Sequence, residues 1–253
     1  MPTLTVAGHD IHHEWRGPQH RANASALVFL HDGLGAVGAW RTVPDQIAAK
    51  LNLPALVFDR WGYGQSSPRA DFPYAFMEAE VEPFRALLDA LAIPKAHLVG
   101  HSDGGSISLL FAAAHPERVL TVTTEAAHVF VERETQDGIR ALVALQQAGK
   151  TPGWLRKLHG ERGEDVLRAW SSGWLTDAHA RWNIEAAVGG VRCPLQVIQG
   201  EKDEFGTLAQ VDAILRKAPQ GERWVVPGSG HTPHSAAEAD FVARVADFIA
   251  RNR

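Results

Sequence analysis

Gly100-His101-Ser102-Asp103-Gly104-Gly105 is the stretch on which the reading of this chain turns. An apolar run, Ala96-His97-Leu98-Val99, precedes it and a helical-looking run over 106–115 follows, so the serine falls at a strand-to-helix junction. A turn that sharp holds its tip residue in a strained backbone conformation, and glycines two residues to either side let strand and helix come close. The Ser102 hydroxyl is then expected above the edge of a sheet. A bare G-x-S-x-G also arises by chance, so its neighbours have to carry the reading.

Outward from this turn the chain alternates strand and helix. On the N-terminal side, Thr3 to Val6 and Ile11 to Trp15 read as an edge hairpin around Gly8-His9-Asp10. Ala26-Leu27-Val28-Phe29-Leu30 and Ala55-Leu56-Val57-Phe58 are unbroken apolar runs, the pattern of strands buried on both faces of a parallel sheet. Helices are expected over 40–51, with Pro44 in the first turn, and over 74–91, with Val81, Phe84, Leu87, Leu88 and Leu91 on one stripe. On the C-terminal side a strand at Val119 to Thr124 is expected, then Leu195 to Gln199, a helix over 207–218, a strand at Arg223 to Val226, and a closing helix carrying Phe241, Val242, Val245, Phe248 and Ile249. This alternation predicts a three-layer α/β/α sandwich.

From 128 to 190 the strands vanish, and helical pieces separated by Gly149, Pro152-Gly153, Gly160, Gly163 and Gly173 take over. We read an inserted helical cap at 128–190 on a core made of 1–127 and 191–253. Trp154, Trp170, Trp174 and Trp182, half of the eight tryptophans, lie in the cap. They either fill its small core or line a pocket facing Ser102, with Trp154, Trp170 and Trp174 the candidates for substrate contact.

Composition narrows the function. A chain of 253 residues, 45% hydrophobic and with net charge −4, can bury a large core, and its mixed charges do not favour nucleic acid or an anionic membrane as partner. No stretch reaches the roughly 20 apolar residues of a membrane helix, and Met1 to Asp10 lacks the pattern of a secretory signal, so a cytoplasmic location is expected. Cys193, the only cysteine, excludes an internal disulfide and a thiolate metal cluster, and beside Pro194 it reads as a small buried hydrophobe. His9, His12, His13 and Glu14 could be drawn as a metal site, but strand alternation sends His12 and His13 to opposite faces, so no metal is expected. In Asp59-Arg60-Trp61-Gly62-Tyr63-Gly64-Gln65-Ser66-Ser67 the glycines suggest a phosphate cradle, yet no G-K-[ST] follows.

Serine is a weak nucleophile at neutral pH; it needs a base within hydrogen-bond reach and a carboxylate to fix that base's tautomer. Asp203 follows one apolar strand and His231 the next, at the ends where ligands of open parallel sheets gather. Ser102, Asp203 and His231 are therefore the candidate catalytic residues, in a chain order found in one family. Glu125, Glu201 and Glu204 are competing acids, and His234 and His101 competing bases.

On these residues the whole chain, 1 to 253, resembles α/β-hydrolase fold enzymes with a short helical cap. His31-Asp32-Gly33-Leu34-Gly35 resembles the H-G-x-x-G oxyanion loop, with Asp32 in place of the usual glycine. The loop from Asp59 to Ser66 is similar to D-x-x-G-x-G-x-S, and Gly200 to Asp203 to the G-x-x-D before the acid. The G-x-S-D-G-G turn is similar to the carboxylesterase branch that includes valacyclovir-hydrolase-like and meta-cleavage-product-hydrolase-like proteins. The resemblance implies an eight-stranded, mostly parallel sheet with an antiparallel second strand, and no cofactor. It also implies an oxyanion hole made from the backbone N–H of Asp103 and of Gly33 or Leu34.

The expected activity is hydrolysis of a small-molecule ester, or a similar acyl bond, with water as co-substrate. Carbon–carbon hydrolysis, lactone opening, acyl transfer, peracid chemistry and a slow-turnover ligand receptor are the alternatives on the same fold. The Asp103 side chain either accepts hydrogen bonds at the start of the following helix or meets a cationic group on the substrate.

Overall fold

The computed structural model describes residues 3–253, so Met1 and Pro2 at the head of the expected core lie outside the described residues. Eight strands form one open sheet: β1 (Thr3–Val6), β2 (His9–Arg16), β3 (Ala26–Leu30), β4 (Ala55–Phe58), β5 (Ala96–His101), β6 (Val119–Glu125), β7 (Leu195–Gly200) and β8 (Glu222–Val226). Their order across the sheet is β1-β2-β4-β3-β5-β6-β7-β8. β2 runs antiparallel to β1 and β4, and β3 to β8 run parallel. The central strands are buried along their whole length, which is why β3 and β4 read as unbroken apolar runs.

The helices are α1 (Val43–Leu51), α2 (Phe76–Ala79), α3 (Val81–Ala90), α4 (Asp103–Ala114), α5 (Arg133–Gln147), α6 (Gly153–His159), α7 (Gly163–Trp174), α8 (Glu185–Val188), α9 (Leu208–Lys217), α10 (Pro233–Ala236) and α11 (Glu238–Arg251). Strand alternation divides the core in two. Leu27, Phe29, Val57, Val99 and Ile198 point to the face covered by α1 and α11, where Val43, Ile47, Phe241, Val245 and Ile249 meet them. Val28, Leu30, Leu56, Leu98, Val122 and Val197 point to the other face, under α3, α4 and α9. Between β6 and β7 the chain makes a helical excursion through α5 to α8, pinned at its base by the pairing of Phe130 with Asn183 and by Ile184 N–H donating to the Val129 carbonyl at 2.8 Å.

Three boundaries differ from the sequence expectation. The edge turn is Ala7-Gly8, both at positive φ, and His9 and Asp10 already belong to β2, where they pair with Val6 and Thr5. The helix expected over 40–51 starts at Val43, because Val37–Trp40 forms a tight 3₁₀ turn and Arg41 has φ 52°. The helix expected over 74–91 is two helices, since Pro83 has no N–H to give the Ala79 carbonyl, and the chain kinks at Glu80.

Candidate active site

β5 ends at His101, Ser102 takes φ 52° and ψ −119°, and α4 begins at Asp103. That is strained geometry for a residue with a side chain, of the order of 1–3 kcal/mol, and surrounding packing has to hold it. A Cβ on Gly100 would lie 2.3 Å from the Gly104 carbonyl oxygen, and one on Gly104 would lie 2.1 Å from that of Leu30. Only glycine allows strand and helix this close.

The structure brings Ser102, His231 and Asp203 together from the ends of three parallel strands. Ser102 Oγ is 3.0 Å from His231 Nε2, and His231 Nδ1 is 2.8 Å and 2.9 Å from the two oxygens of Asp203. Asp203 is itself fixed: Gln199 Nε2 donates to Oδ2 at 2.6 Å and Phe205 N–H to Oδ1 at 2.8 Å. Burial opposes ionisation of Asp203, but His231 outweighs it and holds the carboxyl below its ordinary value. Burial likewise works against an imidazolium at His231, and Asp203 outweighs it, so His231 titrates above its ordinary value.

The competing acids and bases are placed elsewhere. Glu125 accepts from His234 twice, from the main-chain N–H at 2.6 Å and from Nδ1 at 2.8 Å. Glu201 accepts from Gly228 N–H at 2.8 Å, and Glu204 from the main-chain N–H of His231 at 3.1 Å. His101 lies beneath the serine and donates from Nε2 to the His231 carbonyl at 2.8 Å. His101, Glu125 and His234 bring polar atoms within 4.8 Å of one another, and the pairing of Glu125 with His234 accounts for the grouping. The N-terminal histidines do not assemble: His12 donates to Glu14 at 3.1 Å, while His9 stacks on Trp61. Cys193 is half-buried, and burial pushes its thiol up to about 11.

The loop after β3 is tied down by two histidines, a feature that sequence reading missed. His31 Nδ1–H donates to the Asp32 carbonyl at 2.7 Å while Nε2 accepts from Arg60 N–H at 2.9 Å. His159, at the end of α6, donates from Nε2 to the Leu34 carbonyl at 2.8 Å and accepts on Nδ1 from Gly64 N–H at 2.9 Å. One nitrogen donating and the other accepting requires a neutral ring, and burial holds both histidines below their ordinary value. Within this loop Leu34 N–H is turned toward Asp32 Oδ2 at 3.4 Å. Asp103 N–H stands at the first position of α4, where no preceding turn supplies a carbonyl.

The Asp103 side chain lines the cavity and is also engaged from within the protein. It is buried, its Oδ2 accepts from Trp170 Nε1–H at 3.0 Å, and Arg60 Nη2 lies 3.8 Å from the same oxygen. Burial raises its carboxyl to about 6 against the pull of Arg60 and Trp170. Arg60 is the other residue the sequence did not single out; its guanidinium pairs with Glu80 at 2.9 Å and donates to the Asp32 carbonyl at 3.0 Å.

Above Ser102 opens a cavity of about 690 Å³. Its walls include Gly33, Leu34, Asp103, Trp154, Trp170 and Trp174, with His128 beside His231. Trp182 is instead packed in the core, its Nε1–H donating to Glu78 at 2.9 Å. Ile139, Leu142, Leu145 and Leu158 add apolar lining to the cavity.

An open, mostly parallel eight-stranded sheet, helices on both faces and a serine on the sharp turn after a central strand define an α/β hydrolase. The chain belongs to the alpha/beta hydrolase fold family, whose model matches residues 25–192. It is similar to the serine hydrolase BPHL of Mus musculus, 25% identical over 257 residues that span 97% of this chain and 85% of that protein. It is also similar to the putative carbamate hydrolase RutD of Caulobacter sp. (strain K31), 26% identical and covering 98% of both chains. In fold it matches the enol-lactonase from Burkholderia xenovorans LB400, with a TM-score of 0.77 at 19% identity, over 98% of this chain and 100% of that one.

Proposed function

We propose that this hydrolase cleaves a small-molecule carboxylic ester, or a similar acyl bond, through an acyl-serine intermediate. The observation that carries the reading is the unbroken line Ser102 Oγ to His231 Nε2, 3.0 Å, and His231 Nδ1 to Asp203, 2.8 Å, with Ser102 and His231 lining the cavity. His231 takes the Ser102 proton as Oγ attacks the carbonyl carbon, and Asp203 holds the Nδ1–H tautomer and stabilises the imidazolium. The N–H groups of Asp103 and Gly33 receive the oxyanion, Leu34 N–H being turned toward Asp32. The tetrahedral adduct collapses, His231 returns the proton to the departing alcohol, and water activated by the same histidine releases the acid. Each step uses only protein groups and water.

Segment 128–190 acts as a cap in this reading, with Trp170 and Trp174 in the wall that faces Ser102. The cavity is of a size that encloses a small molecule. The names of the relatives, carbamate hydrolase among them, support cleavage at an acyl carbon. The test is fluorophosphonate labelling of wild type and Ser102→Ala together with turnover of p-nitrophenyl acetate. Labelling and turnover that both vanish in Ser102→Ala support the reading. Labelling of the wild type with no turnover of a panel of esters, thioesters and lactones overturns it in favour of a receptor.

A further inference from the structure

His231 is held at three points, and only one of them is its ring. Asp203 takes the ring Nδ1–H, Glu204 Oε2 takes the main-chain N–H at 3.1 Å, and the main-chain carbonyl accepts from His101 Nε2 at 2.8 Å. A ring nitrogen that meets a carbonyl has to carry the proton, so Nε2 of His101 is a donor. The other nitrogen of His101, Nδ1, faces Asp32 Oδ1 at 3.7 Å.

Asp32 is where this chain departs from the glycine expected in the loop after β3, and the loop is shaped around it. A Cβ on Gly35 would lie 2.0 Å from Asp32 Oδ1, so the carboxylate occupies space that any other residue at 35 would claim. The charged and titratable groups facing His101 come from three places: Asp32 after β3, Glu125 at the end of β6, and His231 and His234 in the segment after β8, with ring centroids 5.0 Å and 5.2 Å away. Burial disfavours a charge on His101, and the Glu125 and Asp32 carboxylates more than offset that. Asp32 in turn is held well below the ordinary carboxylate range despite burial, with the His101 side chain the first of its opposing partners.

We propose that His101 is a positioning residue, an imidazolium anchored by Asp32 that clamps the main-chain carbonyl of His231 and so fixes Nε2 of the base over Ser102. The inference rests on the reading of Ser102 and His231 as nucleophile and base. A displacement near 1 Å between reacting groups can cost about a hundredfold in rate, which is why a clamp on the backbone of the base matters. The same pair sets the local charge around His231: Asp32 favours its imidazolium, and the His101 cation opposes it.

The test compares His101→Leu, His101→Gln and Asp32→Asn with wild type in kcat, KM and the pH profile for p-nitrophenyl acetate, with Ser102→Ala as control and thermal melting to check folding. His101→Leu is expected to lower the plateau kcat at least tenfold with KM within about twofold. Its acid limb moves to higher pH, because the Asp32 carboxylate then faces His231 without its cation. Asp32→Asn moves that limb to lower pH, because a negative charge favouring the His231 imidazolium is gone while Glu125 still holds the charge on His101. His101→Gln, which keeps an N–H donor, recovers part of kcat.

A folded His101→Leu with kcat within twofold of wild type overturns the clamp, and so does a loss of kcat with no movement of the acid limb in either variant. If His101→Leu does not fold, Asp32→Asn decides, and a limb that stays or moves upward overturns the proposal. Activity surviving in Ser102→Ala would instead remove the reading on which the clamp rests. An inactive Ser102→Ala beside a fully active His101→Leu removes the clamp alone.

Discussion

At Ser102 the turn, the glycines and the strained φ are all set within a few residues, so the sequence made them legible. Asp203 and His231 were legible for a related reason: each comes a few residues after a strand, and parallel strands deliver their ends to one edge. The partners of Asp103 were not, since Trp170 and Arg60 reach it from distant parts of the chain and no local pattern encodes their meeting. Three outcomes belong to this scale. Ser102→Ala and His231→Ala should each remove activity by several orders of magnitude, up to ~10⁶ in kcat, with the fold retained on thermal melting. Asp203→Asn should cost far more than Glu204→Gln or Glu125→Gln. Asp203 alone meets the ring Nδ1, whereas Glu204 holds the main-chain N–H and Glu125 holds His234. Equal losses in the three would place the acid elsewhere. The pH profile follows from the sign of the His231 shift: the imidazolium cannot accept the serine proton, and its titration lies above the ordinary value of 6.5. kcat/KM should therefore rise with pH through a midpoint above 6.5, and a midpoint below it would mean that Asp203 does not act on this ring.

Elements buried on both faces were easiest to recognise, because β3 and β4 have no polar positions to interrupt the run. The split between α2 and α3 was harder, although Pro83 marks it. Glu80 stands at the kink and pairs with both Arg60 and Arg69. How the loop after β3 meets α7 was beyond any local signal, and it has a direct consequence. A Cβ at Gly33 would lie 2.3 Å from Trp170 Nε1 and 2.8 Å from Asp103 Oδ2, so the loop rests on the hydrogen bond that joins α7 to the start of α4. Gly33→Ala should displace the indole or the loop and lower kcat at least tenfold. If the indole is the obstacle, adding Trp170→Ala should restore part of that loss, a non-additive pair of the kind contacting residues show. Purely additive losses in kcat would place the damage in the loop backbone instead.

For the molecule as a whole, the sheet was legible and the placement of its helical excursion was not, because the excursion is held by side chains such as His159, Trp170 and Arg162 that bond to partners far away in sequence. The excursion leaves Leu145 and Trp154 at the cavity, 41% and 43% exposed, while Trp170 and Trp174 are buried in its wall. Trp182, Trp174 and Trp154 should therefore separate by depth. Trp182→Phe should lower the melting temperature, since it leaves Glu78 without its indole donor, and should not change which acyl chain is preferred. Trp174→Leu, at the buried wall, should shift the preference toward bulkier acyl groups by about 1–3 kcal/mol per methylene accommodated, with a smaller change on acetate. Trp154→Ala and Leu145→Asp, at the exposed rim, should raise KM for long-chain p-nitrophenyl esters and leave the acetate ester within about twofold. The measurement is kcat/KM across acyl lengths for each variant at matched folded fraction. If the Trp174 variant keeps the wild-type profile, the acyl group does not lie against Trp174.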